Sequence, residues 1–175
     1  SANTITCTSI FSSTYDSYLL KLQNISSGTS ASGSPIASFH PHGSNVTGLA
    51  CHFGIDPVKQ ANGWFYSDFG SSNYTNAMSG VSNFLLGTGG EYPQTSAKLH
   101  MNGEIWVDCK SDNSTHMGVR AEMVTGVNTA TEMFRKVKLF GYAKLTGGSA
   151  EEMIFTPGQG TLSTDSKVIV YGLKS

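Results

Sequence analysis

A chain of 175 residues with 38% hydrophobic content carries enough apolar material for one packed domain, and no apolar run in it approaches the roughly 20 residues that a membrane-spanning helix needs. Charged residues make up 13%, against about 25% in ordinary globular domains, and the formal net charge is −1, so the chain lacks the basic footprint that drives non-specific binding to DNA or RNA. Neither membrane insertion nor a nucleic-acid partner is expected, and polarity is carried by hydroxyls, amides and 20 glycines.

Strand signals recur along the chain. Residues 18–25 (YLLKLQNI), 48–55 (GLACHFGI), 63–69 (GWFYSDF), 104–110 (EIWVDCK), 119–124 (VRAEMV), 137–145 (VKLFGYAKL) and 167–173 (KVIVYGL) are apolar or alternating runs. Asn62-Gly63, Gly89-Gly90, Asn102-Gly103, Asp112-Asn113, Gly147-Gly148 and Pro157-Gly158 read as the turns between them. Segments 24–35 (NISSGTSASGSP) and 67–80 (SDFGSSNYTNAMSG) read as loops too polar to pack. Met133, Phe134, Val137 and Phe140 would line a helix, but Val137, Leu139, Gly141, Ala143 and Leu145 alternate, so 131–145 is predicted as strand. In the closing run Val168, Val170 and Gly172 alternate with Lys167, Ile169 and Tyr171, and the TPGQGT before it supplies a reversal that lets the strand pair backwards. The pattern predicts an all-β fold, a single-domain antiparallel β-sandwich or jelly roll over 1–175, with no second domain.

Few residues are placed for chemistry. Cys7, Cys51 and Cys109 are odd in number and match neither CxxC nor zinc spacing, so they read as buried free thiols, as in a chain folded in a reducing cytoplasm. The sequons at Asn24, Asn45, Asn73 and Asn113 exceed chance only slightly in so polar a chain. His40 and His42 would share a strand face, with His52, His100 and His116 elsewhere, but no HExxH motif or associated carboxylate accompanies them, and neither a metal nor another cofactor is expected. Glu151 and Glu152 are adjacent, and Glu104 and Asp108 flank Trp106 as a glycosidase pair flanks a stacking ring. On one strand, however, the latter two stand about 13 Å apart, beyond the roughly 9.5 Å of an inverting pair. With no G-x-S-x-G, P-loop or dinucleotide fingerprint either, the chain is not expected to be an enzyme.

Aromatic residues are the more informative feature. Trp64, Phe65, Tyr66, Phe69 and Tyr74 crowd one strand and loop beside Asp68 and Asn73, and alternation forbids Trp64 and Tyr66 from joining the core if Phe65 does. Trp64, Tyr66, Asp68, Asn73 and Tyr74 are therefore the candidate ligand-binding set, since rings cover the C–H face of a sugar while amides and carboxylates take its hydroxyls. Packing against another subunit is the commoner use of such rings. Lys136, Lys138 and Lys144 interleave with Phe140 and Tyr142, a face suited to an anionic glycan or a lipopolysaccharide phosphate; lysines guarding an edge strand are the commoner explanation. Trp106 is expected to face outward, because Ile105, Val107 and Cys109 form the better core set.

Two ends of the chain carry a resemblance. Residues 4–25 (TITCTSIFSSTYDSYLLKLQNI), with the STYDSY run at 13–18, and residues 153–174 (MIFTPGQGTLSTDSKVIVYGLK), with Gly160, Thr161 and VYGLK, resemble the ends of a jelly-roll domain of bacteriophage tail-fibre and virion structural proteins, cyanophages included. GEIWV at 103–107 is similar to a middle strand of that family, whereas 26–99 falls outside the resemblance. The resemblance implies a tail-fibre or tail-tip module on the virion surface. It would be a homotrimer beside other virion proteins and would attach to a host-surface receptor, a glycan first of all. The absence of heptads and of a shaft, and a Ser1-Ala2 start that fits removal of an initiator methionine, suit a capsid decoration or head-surface protein; a cut from a longer fibre fits Ser1 equally. A cellular carbohydrate-binding module or hydrolase is the third reading.

Overall fold

The structure is a computed structural model and describes residues 4–12, 14–25, 48–56, 59–60, 62–68, 75–81, 83–88, 101–109, 116–127, 133–144, 152–157 and 162–174. Its elements are β1 (Ile5–Cys7), β2 (Ser17–Ile25), β3 (Gly48–Asp56), β4 (Lys59–Gln60), β5 (Asn62–Asp68), β6 (Thr75–Val81), β7 (Asn83–Thr88), β8 (Met101–Cys109), β9 (His116–Val127), β10 (Met133–Lys144), β11 (Glu152–Pro157) and β12 (Lys167–Leu173). No helix occurs among the described residues, and the chain is all-β. One five-stranded sheet runs β1-β11-β3-β4 with β7 also on β3; a seven-stranded sheet runs β12-β2-β8-β9-β10-β5-β6. Every pairing is antiparallel.

Alternation places the core. Tyr18, Leu20 and Leu22 of β2, Ile105 and Val107 of β8, and Met117, Val119, Ala121 and Met123 of β9 are all buried. Register aligns Leu20, Ile105, Ala121 and Leu139 across four neighbouring strands, so one apolar row crosses the middle of the sheet. Met153 and Phe155 of β11 enter the same cluster from the other sheet, with Phe11 and Leu162 beside them, which makes the arrangement sandwich-like. Burying each large aliphatic or aromatic side chain contributes about 1.5–3 kcal/mol.

Leu22 and Ile25 are both buried although three residues apart, which strict alternation forbids. A bulge between them restores the face, with Asn24 at φ 52°. Asn tolerates this left-handed conformation better than most side chains. The Asn24 N–H donates to Asn102 Oδ1 (3.0 Å) and its carbonyl accepts from Ser166 Oγ (3.2 Å), so the bulge leaves neither backbone group orphaned.

The two ends of the described chain are stitched together in both sheets. Ile5, Thr6 and Cys7 pair with Phe155, Ile154 and Met153, while Ser17 through Gln23 pair with Leu173 through Lys167. At the crossing, Tyr18 packs edge-on against Phe11 and Tyr15, with centroids 5.0 and 6.0 Å away. Tyr15 lies over Gly172, where a β-carbon would come within 2.5–2.7 Å of the ring, and the Asp16 N–H donates to the Leu173 carbonyl at 3.1 Å. The STYDSY and VYGL segments thus pack on each other. The Tyr18 hydroxyl accepts from the Ser12 N–H (2.7 Å) and donates to the Ser12 carbonyl (3.0 Å). Tyr18→Phe is expected to lower unfolding free energy by about 1–3 kcal/mol in urea titration, because two backbone groups lose their partner.

The seven predicted strands correspond to β2, β3, β5, β8, β9, β10 and β12. Three expectations fail. Residues 75–80, read as loop, belong to β6, which its backbone ladder to β5 holds at the end of the seven-stranded sheet. Asn62-Gly63 and Asn102-Gly103, read as turns, lie inside β5 and β8. Register shifts fall beside both, between Gly63 and Trp64 on β5 and between Leu22 and Ile25 opposite Asn102-Gly103, so these dipeptides accompany bulges rather than reversals. β10 is no edge strand: β9 and β5 flank it. The closing strand, expected to pair backwards, is β12, and it pairs antiparallel with β2, while residues 158–161 of TPGQGT lie outside the described residues. Within 24–35, Asn24 and Ile25 complete β2; the rest of that segment lies outside the described residues.

Candidate functional site

The parity that buries one face of the seven-stranded sheet presents the other. Register sets Tyr171, Leu19, Trp106, Arg120, Phe140 and Tyr66 side by side on β12, β2, β8, β9, β10 and β5. Phe140 is 51% exposed, Tyr142 45% and Tyr171 43%, unusual for side chains of this size. Trp106 is half-buried on this face while Ile105 and Val107 fill the core, in agreement with its expected outward placement. The Arg120 guanidinium carbon stands 4.9 Å from the Trp106 ring centroid, a cation–π contact worth about 0.5–1 kcal/mol at exposed positions. Lys21 reaches over the Tyr171 ring at 5.9 Å.

A charged row runs alongside. Lys21, Glu104, Glu122 and Lys138 are register neighbours on successive strands, which sets two carboxylates directly opposite each other. Like charges so placed repel. Each acid has its own lysine: Lys21 Nζ lies 3.5 Å from Glu104 Oε1, and Lys136 Nζ 2.7 Å from Glu122 Oε2. Lys136 holds the Glu122 carboxyl below the ordinary 4.5, first by its hydrogen bond and then by its charge, with Lys138 and Arg120 adding to the effect.

This shift has a pH signature. The unfolded chain holds the Glu122 proton more readily than the folded one, so the contribution to stability is complete above about pH 4.5 and is lost as pH falls through the lowered value. With side-chain exposures of 55% for Lys136 and 59% for Glu122, solvent screening keeps the effect small. Glu122→Gln is expected to lower the melting temperature slightly above about pH 5 and to leave it unchanged near about pH 2, where the wild-type carboxyl is protonated, so that the acid limb of a plot of melting temperature against pH flattens.

The sequence-predicted residues divide. Trp64, Tyr66 and Asp68 lie on β5, at register positions opposite Tyr142, Phe140 and Lys138; beyond the backbone they fall outside the described residues, as Asn73 and Tyr74 do entirely. The pairing of β5 with β10 therefore sets the register positions of the aromatic run beside those of the lysine face. Arg120 and Tyr171 belong to this face and were not singled out, although each has the parity opposite to its strand's core residues. Asp108 is exposed on β8, two residues beyond Trp106. His52 and His116 belong to different sheets, and His40, His42 and His100 lie outside the described residues. Among the described residues no group of three or more His, Cys, Asp or Glu could hold a metal ion. Cys7 is half-buried with a free thiol, and burial raises its pKa.

Fold and face together define an all-β protein of two antiparallel sheets whose larger sheet presents an exposed, ring-bearing surface. No protein-family model matches the chain, and no curated protein or solved structure matches it.

Proposed function

We propose that the chain is a non-catalytic attachment module of a phage virion, a tail-fibre or tail-tip component that recognises a host-surface glycan through the exposed face of its seven-stranded sheet. The observation that carries this reading is the row of rings, Tyr171, Trp106 and Phe140 with Tyr142 beside them, on a face that also holds amines and carboxylates. Rings of this kind stack on sugars, and charged groups on a rigid sheet fix their orientation. A jelly-roll form of the sandwich is supported by the ribbon of β1 and β2 against β11 and β12, which passes from one sheet to the other. The phage assignment and the homotrimer rest on the resemblance at the two ends, and a light-scattering mass near one chain would refute the trimer.

Trp64→Ala, Tyr66→Ala and Tyr142→Ala, each checked for folding, are expected to weaken binding to host cells or their extracted surface glycan by about 1–3 kcal/mol apiece. Unchanged binding in all three refutes the face as the attachment site. Labelling on the head lattice rather than the tail of imaged particles would favour a decoration protein instead.

A further inference from the structure

Resting on that reading, we infer that the ligand is an extended polysaccharide of carboxylate-bearing sugars, lying at right angles to the strands along the row from Tyr171 through Trp106 to Phe140. The three rings sit on β12, β8 and β10, and one strand separates each from the next. At about 4.8 Å between neighbouring strands, rings recur roughly every 10 Å across the sheet. An extended pyranose chain advances by nearly one strand spacing per sugar and turns alternate sugars over, so rings at this interval meet the same face of every second sugar. A ligand running along β10 would instead cross Lys136 and Lys138 before it reached Phe140 and Tyr142.

The charge of the intervening position gives the chemical class. The sugar between those stacked on Trp106 and Phe140 lies over Arg120 of β9. Arg120 makes no salt bridge with a carboxylate among the described residues, its pull on Glu122 acting only at longer range; its contact is the Trp106 ring, and its planar fork of donors matches a carboxylate carried on a sugar ring. The described part of this face holds Lys21, Arg120, Lys136, Lys138 and Lys167 against Glu104, Asp108 and Glu122, in a chain whose net charge is −1, so positive charge is concentrated where the rings are. Glu104 and Glu122 are engaged by Lys21 and Lys136, which leaves Arg120 to meet an incoming acid.

The test is calorimetric titration of the wild-type chain, Arg120→Gln, Tyr171→Ala and Phe140→Ala, each with a confirmed melting transition, against mannuronate dimer, tetramer and hexamer and the neutral manno-oligomers of the same linkage. Affinity for mannuronate is expected to rise with each lengthening and to fall as salt shortens the Debye length from about 10 to about 3 Å. Arg120→Gln should lose about tenfold in affinity together with most of that salt dependence, as should a charged hot spot. Tyr171→Ala should weaken the hexamer and leave the dimer unchanged. Equal affinity for the neutral series, or an unaltered Arg120→Gln, overturns the acidic ligand while the attachment reading stands. A dimer bound as tightly as the hexamer overturns the path across the strands. A self-association that Phe140→Ala dissolves makes the face a contact between copies and overturns the inference. Silence toward both series overturns it as well, and extends to the attachment reading only if host-cell binding also survives the ring substitutions.

Discussion

Gly103→Ala is expected to destabilise the protein by about 3 kcal/mol, the upper end for overpacking, and Gly118→Ala to leave it unharmed. Gly103 lies in β8 between Leu22 of β2 and Met123 of β9. A β-carbon there would stand 2.5 Å from Met123 Cγ and 2.6 Å from Met123 Cα, and would collide with the Glu122 carbonyl oxygen. Two of these atoms are backbone of a central strand, so no rotamer change relieves the clash. β9 would have to retreat, stretching the ladder that carries Ile105 against Ala121. At Gly118 the nearest atom to a new β-carbon is Asp108 Cβ at 3.7 Å, an ordinary contact, and alanine gains from the lower entropy of its unfolded chain. Urea midpoints of the two variants measure the contrast; equal stability would show that β8 and β9 do not approach so closely at Gly103.

Phe155→Ala should cost about 3–5 kcal/mol, a large share of the roughly 5–15 kcal/mol that holds a typical domain together. Phe155 is 0% exposed, pairs with Ile5 on one side and Cys51 on the other, and lies in the core cluster shared with the seven-stranded sheet. Truncation opens a cavity between the sheets that neither can close without sliding over the other. Phe155→Leu retains most of the volume and should cost less than about 1.5 kcal/mol. Denaturant unfolding of the pair decides, and similar losses for both would place the side chain outside the shared core.

Strands buried on one face were legible wherever they ran long enough to alternate. Tyr18, Leu20 and Leu22, Ile105 and Val107, and Val119, Ala121 and Met123 announce their faces, and Trp106 takes the opposite one. β1, with three residues, is too short for a period to register, and the strand at Thr75–Val81 pairs through backbone groups that sequence does not encode. Turn residues say that the chain reverses but not which sheet receives it, so the partner of β12, which is β2, could not be read from TPGQGT. The face was legible only in pieces. Trp64 and Tyr66 stand far along the chain from Phe140 and Tyr142, and only the pairing of β5 with β10 makes them neighbours. The lysines of β10 looked like protection for an open edge because alternating charge reads the same on an edge and on the exposed face of an interior strand.

The ladders Ile5–Phe155 and Leu20–Val170 also dictate an order of events during synthesis. β1 finds its partner only after β11 has been made, and the free side of β2 stays open until β12 emerges. Until then the nascent chain carries two ready edges, one beside the hydrophobic stretch from Tyr18 to Leu22, and unpaired edges recruit other chains. Pairings so distant along the chain also close slowly. Crowded translation on one message would bring such edges together at high local concentration, where exchange of β11 and β12 between neighbouring copies competes with closure within one.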